Sequence, residues 1–127
     1  MSTAAQPRIV LASTSPYRRQ LLGRLVSQFD CEPPDVDESP RASETAPQLA
    51  LRLAESKARA LAPRHPGALI IGGDQAAALG DRIIGKPGTK ENAYTQLLRC
   101  SGQRVCFYTG LSVYDGRNGN CETVLET

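Results

Sequence analysis

Arg8-Ile-Val-Leu-Ala-Ser-Thr-Ser-Pro-Tyr-Arg-Arg-Gln-Leu-Leu22 changes its periodicity partway through, and that change decides the fold. Arg8 to Ser13 is a short apolar run, β-branched at its centre, which predicts a buried strand. Ser15 is a favoured N-cap and Pro16 suits the first helical position, so a helix starts there. Leu21, Leu22, Leu25 and Val26 recur at helical spacing and predict one buried face. A buried strand feeding directly into a helix opens an α/β fold.

The pattern continues outward. Phe29-Asp-Cys-Glu32 reads as a second strand, ended by Pro33-Pro34, and the polar stretch from Asp35 to Glu44 carries an acidic cluster. Thr45 and Gln48 have capping-box spacing and predict a helix running to about Ala62, before Pro63. Ala68 to Ile71 is a third strand, and Gln75–Leu79 with Arg82–Gly85 flank Gly80-Asp81 as a hairpin. Thr89 opens a third helix with Ala93, Leu97 and Leu98 inward and Gly102 as its stop. Val105–Thr109 and Leu111–Tyr114 read as strands, Asp115–Gly119 as a turn and Cys121–Leu125 as the returning strand. The order β-α-β-α-β-β-α-β-β predicts an α/β fold with a mixed β-sheet flanked by helices. The expectation is a single domain over 1–127 whose last strand has nothing packed over it. Unpaired N–H and C=O groups along that edge, with an exposed apolar surface formed largely by Leu111, Val113, Val124 and Leu125, then predict a homodimer or other self-association.

Composition excludes several classes. The chain has 127 residues, enough for one domain, with 40% apolar and 22% charged residues, so neither disorder nor a collagen-like structure fits. Fifteen basic against thirteen acidic side chains leave +2, too little for a nucleic-acid footprint. No stretch approaches the ~20 apolar residues that cross a bilayer. The N-terminus lacks a signal-peptide pattern, so the expected location is cytoplasmic. Cys31, Cys100, Cys106 and Cys121 form no C-x-x-C pair and His65 is the only histidine, which predicts reduced, core-filling thiols and no zinc site. Neither G-x-x-x-x-G-K-[ST] nor G-x-G-x-x-G occurs, so P-loop and dinucleotide-binding schemes have no support.

Four places look chemical. In Ser13-Thr-Ser-Pro-Tyr-Arg-Arg19 a hydroxyl-rich loop meets a helix N-terminus, whose free N–H groups favour an anion. Arg18 and Arg19 oppose the helix dipole there, which makes sense with phosphates between them; a capped helix with two solvated arginines is the plain alternative. Lys57 falls within the apolar arc made by Leu49, Ala50, Leu53, Ala54, Ala60 and Leu61, so it either snorkels or points its charge into a cleft. Asp74 and Gln75 follow a strand through Gly72-Gly73, and the hairpin would return Lys86 beside them. Such an aspartate binds a divalent metal or orients water, with Lys86 on a phosphate, unless it is a plain turn residue with a counter-ion. Asp35-Val-Asp-Glu38 is the fourth and weakest signal, since acidic loops are usually just solvated.

Together these segments resemble the Maf family of nucleoside-triphosphate pyrophosphatases, which share a fold with inosine triphosphate pyrophosphatases. The matching stretches are Leu11–Leu22, Pro34–Glu38, Leu53–Ala58, Ile70–Gln75, Ile84–Pro87 and Phe107–Gly110, in that order. The resemblance implies hydrolysis of modified nucleoside triphosphates to the monophosphate and pyrophosphate with a divalent cation, Mg2+ or Mn2+. It assigns Asp74 as proton acceptor for water, Ser13, Arg18, Lys57 and Lys86 to the triphosphate, and Glu38 to the neighbourhood of the metal. The residues' own pattern adds Arg19 to the triphosphate set and Asp74 to the metal set. Tyr17 and Gln75 resemble the branch that takes 7-methyl-GTP. An aromatic face attracts the cationic 7-methylated base by about 0.5–2 kcal/mol. Family members are longer, so the resemblance also implies a domain incomplete at its C-terminus. The rival expectation is a catalytically silent nucleotide-binding or regulatory protein of the same fold.

Overall fold

A computed structural model describes residues 7–84 and 90–127. Its strands are β1 (Ile9–Ala12), β2 (Asp30–Glu32), β3 (Leu69–Leu79), β4 (Arg82–Ile84), β5 (Val105–Asp115) and β6 (Asn120–Glu126). Its helices are α1 (Pro16–Gly23), α2 (Ala46–Ala60) and α3 (Lys90–Cys100), with a single 3-10 turn at Ala62–Arg64. The described strands form one mixed sheet in the order β2-β1-β3-β5-β6, with β4 also paired to β3. β1 runs parallel to β2 and β3, whereas β3 pairs antiparallel with β4 and β5, and β5 with β6.

α2 is the packing centre. Its N-terminus closes a capping box, with the Gln48 N–H donating to Thr45 Oγ1 at 3.3 Å and the Thr45 N–H to Gln48 Oε1 at 3.0 Å. Its apolar stripe covers one sheet face in two clusters. Ala58 and Leu61 pack with Val10, Ala12, Ala68 and Ile70, and Leu49, Ala50 and Leu53 with Ala76 and Ala78. The small residues have a purpose. A Cβ at Gly72 would lie 2.2 Å from the Ala54 carbonyl oxygen, and one at Gly110 would lie 2.4 Å from that of Ala50. Glycine lets the helix backbone rest directly on the sheet.

Those glycines also explain two corrections. β3 and β5 are each one continuous strand of 11 residues, where the glycines suggested breaks after Ile71 and at Gly110. Glycine here marks a close approach inside a strand. The Gly80-Asp81 hairpin is present, with Gly80 at φ 60° and Leu79 opposite Arg82. Thr89 and Lys86 lie outside the described residues, as does the side chain of Ala93.

Three apolar expectations fail. α1 has no buried residue, and Leu25, beyond its end, is 85% exposed. The polar side of the helix borders an open cleft lined by Arg8, Ile9, Arg19, Gln20, Arg24 and Phe29, and Leu21 of its stripe is exposed as well. In α3, Leu97 and Leu98 are exposed rather than inward. Leu125 turns toward the α2 side and packs beside its second cluster, because strand alternation sends it away from Val124. Leu111, Val113 and Val124 do remain exposed on the opposite face, joined there by Phe107. The four cysteines are unpaired and half-buried rather than core.

Candidate active site

β5 pairs with β3 along its whole length, so β1 and β4 must share the other edge of β3. β1 reaches only to Gly72, and β4 begins opposite Ala77. Among the described strands, Gly73 to Ala76 therefore has no neighbour on that edge. The gap lies past the C-terminal end of the parallel strand β1, where open α/β sheets form ligand crevices.

Groups from both sheet faces meet at this gap. On the α2 face, Lys57 is only 8% exposed, and its Nζ donates to Asp74 Oδ1 at 3.0 Å and to the Gly73 carbonyl at 3.5 Å. Glu38 Oε1 completes the group at 3.1 Å from the same Nζ. The ammonium does not snorkel; it bridges two carboxylates. A cation removed from water needs such partners. The opposite face carries Arg18, whose Nε would lie 3.8 Å from a Cβ on Gly73. Gln75, two residues on, shares that face by alternation, and its Nε2 donates to Thr109 Oγ1 at 3.4 Å.

The loop between β1 and α1 adds hydroxyls. Ser13 is buried, its Oγ accepts the Ser15 N–H at 2.9 Å, and its own N–H is held by the Glu32 carbonyl at 3.1 Å. Ser15 caps α1 by accepting the Arg18 N–H at 3.3 Å. Tyr17, 68% exposed, stands in the same helical turn as Arg18. Arg18 and Arg19 part company. A step of about 100° around the helix sends Arg19 into the open cleft instead of toward Gly73. Lys86 lies outside the described residues.

The donors suit a divalent cation of a particular kind. Glu38 and Asp74 offer hard oxygens, which favour magnesium or manganese over zinc. Among the described residues no group of three or more carboxylate, histidine or cysteine ligands exists. Two carboxylates fit a cation that takes its remaining ligands from phosphates and water, not a closed protein cage.

Against this geometry, the Maf-like protein family matches residues 8–127. The chain belongs to the Maf family. A Maf relative, a 7-methyl-GTP pyrophosphatase from Pseudomonas fluorescens, is 56% identical over 114 residues. That match takes in 90% of this chain and 59% of the relative, so this Maf chain spans about three-fifths of the curated relative's length. Solved structures extend the likeness in fold. A nucleoside-triphosphatase (dITP/XTP pyrophosphatase) from Mycobacterium abscessus has a TM-score of 0.58 at 17% identity, over 94% of this chain and 70% of its own. A HAM1 protein from Coxiella burnetii has a TM-score of 0.53 at 15% identity, over 94% and 68%. No helix among the described residues is long and apolar enough to cross a membrane.

Two polar clusters near the candidate site escaped sequence reasoning. Arg52 grips Glu44 with two bonds, at 2.6 Å and 2.9 Å, and Glu32 pairs with Arg64 and His65 beside the Ser13 loop. Arg52 holds the Glu44 carboxyl down at about 2 from its ordinary 4.5. His65 and then Arg64 lower that of Glu32. The first pair joins a loop to a helix and the second a strand to a 3-10 turn. Neither spacing carries a periodic signal.

Proposed function

We propose that this chain carries the phosphate-handling centre of a nucleoside-triphosphate pyrophosphatase, with 7-methyl-GTP as the preferred substrate. The observation behind this reading is the Lys57 ammonium set between Asp74 and Glu38 at the open edge of β3, with Arg18 across the sheet. A triphosphate entering the gap would draw Lys57 and Arg18 onto its oxygens, and Ser13 would offer its hydroxyl proton.

Water attacks the α-phosphorus, Asp74 accepts its proton, and the bond to the β-phosphate oxygen breaks. The products are the monophosphate and pyrophosphate. Asp74 Oδ1 is engaged by Lys57, which leaves the second carboxylate oxygen for this proton. Arg18 and Lys57 offset the charge that grows on the leaving pyrophosphate. A magnesium or manganese ion bound with the nucleotide would supply further charge neutralisation, held by Glu38 and Asp74. Lys86, by family resemblance, adds a third cation.

Substrate choice rests on the face away from α2. Tyr17 offers an exposed aromatic surface for a cationic base, and Gln75 presents an amide to base edges. The name of the Pseudomonas relative supports the same choice. The test is pyrophosphate release with magnesium and 7-methyl-GTP, GTP, ITP, dTTP or UTP. Fastest release from 7-methyl-GTP is expected. Faster release from dTTP or UTP would move the chain to another substrate class, and binding without release would favour the silent nucleotide-binding alternative.

A further inference from the structure

Glu38 reaches the site differently from its partners. Asp74 stands in a strand and Lys57 in a helix, whereas Glu38 rides on the loop between β2 and α2 with its side chain 51% exposed. Holding such a loop acid on Lys57 costs backbone and side-chain entropy. A single ion pair with one half-exposed partner does little to offset that. The loop therefore needs another anchor, and Arg52 supplies it.

Arg52 Nε donates to Glu44 Oε2 at 2.6 Å, and its Nη2 donates to Glu44 Oε1 at 2.9 Å and to the Ser39 carbonyl at 3.0 Å. Ser39 directly follows Glu38. Glu44 Oε1 also accepts the Arg41 N–H at 2.9 Å, and Asp37 Oδ1 accepts the Ser39 N–H at 3.0 Å, which closes a turn around Glu38. The guanidinium fork fits a carboxylate with two parallel bonds, a geometry that lysine cannot reproduce. α2 itself is fixed by its backbone contact with Gly72 and Gly110. One helix thus carries both the ammonium and the guanidinium that brings the acid to it.

We propose that Arg52 is a positioning residue: by gripping Glu44 and the Ser39 carbonyl together, it holds Glu38 on Lys57 and so sets the second cation-facing carboxylate of the site. This inference rests on the functional reading of that site. Two measurements separate them. Hydrogen exchange is followed in the ligand-free chain. Calorimetry follows binding of the manganese complex of a non-hydrolysable nucleoside triphosphate to wild type, Arg52→Gln, Glu38→Gln and the double variant. In Arg52→Gln the amides of residues 35–43 should exchange about ten-fold faster, with those of α2 and β3 unchanged. Affinity should fall about ten-fold, as in Glu38→Gln, and no further in the double variant. Glu44→Gln breaks the same grip from the loop side and should give the same result, so it decides the matter if Arg52→Gln does not fold. Unchanged exchange in the loop, or losses that multiply in the double variant, would overturn the proposal. A wild-type chain that binds no nucleotide rejects the functional reading, and loop exchange then decides for or against Arg52.

Discussion

Lys57 is the residue on which the site turns. Its ammonium stabilises two carboxylates, and Asp74 has little water to replace it. Lys57→Met keeps the stem but leaves an uncompensated buried charge, a change that costs about 3–5 kcal/mol in enclosed pairs. The site's partial exposure puts the expected loss near the lower end, seen as a lower melting temperature. The same change frees Glu38 and Asp74 for a cation, so manganese alone should raise the melting temperature of the variant more than that of wild type. An equal or smaller rise would show that the carboxylates do not form a cation seat. Lys57 was legible in the sequence because a lysine inside an apolar helical arc breaks a rule. The division of Arg18 from Arg19 was not, because it depends on where α1 sits over the sheet.

At the scale of elements, the loop bearing Glu38 is pinned by carboxylates whose folded pKa values are lowered. Glu44 falls to about 2 from 4.5 through Arg52, and Asp37 falls through the Ser39 N–H. In the acid range the unfolded chain binds more protons at these groups than the folded chain does. Their contribution is therefore complete above about pH 5 and is lost as pH falls toward about 2. Thermal melts across that window should show a decline, flatter in Glu44→Gln than in wild type. Parallel slopes would mean that Glu44 adds no pH-dependent stability. Gly110→Ala tests the packing of α2, since its Cβ would meet the Ala50 carbonyl oxygen at 2.4 Å and backbone cannot yield cheaply. A loss of about 1–3 kcal/mol in denaturant unfolding is expected, and an unchanged midpoint would contradict the close approach. Caps, turns and element order were readable because they are local chemistry. Continuous β3 and β5 were not, because glycine at a helix–sheet contact looks like glycine at a break.

Among the described residues the two faces of the sheet are unequally covered at its β5–β6 end. α2 covers one side of the sheet, while Phe107, Leu111, Val113 and Val124 stay exposed on the other. Exposed apolar surface drives association, so sedimentation at micromolar concentration should find self-associated species. Leu111→Thr with Val124→Thr should restore the monomer; a wild-type monomer would show that the bare face is tolerated. Edge pairing is the weaker route. Antiparallel contact of two β6 strands centred on Val124 would set Glu122 against Glu126 twice. The central claim is that the gap beside β3 both seats a triphosphate and delivers water to it. Asp74→Asn separates those two acts in one chain, because it removes the proposed proton acceptor and leaves Lys57, Arg18 and Ser13 in place. The measurement is pyrophosphate release from 7-methyl-GTP alongside calorimetric affinity for a non-hydrolysable analogue. No release is expected, with affinity for the analogue in the absence of a divalent cation, where Asp74 has no metal to hold, within about three-fold of wild type. Release at the wild-type rate would contradict it.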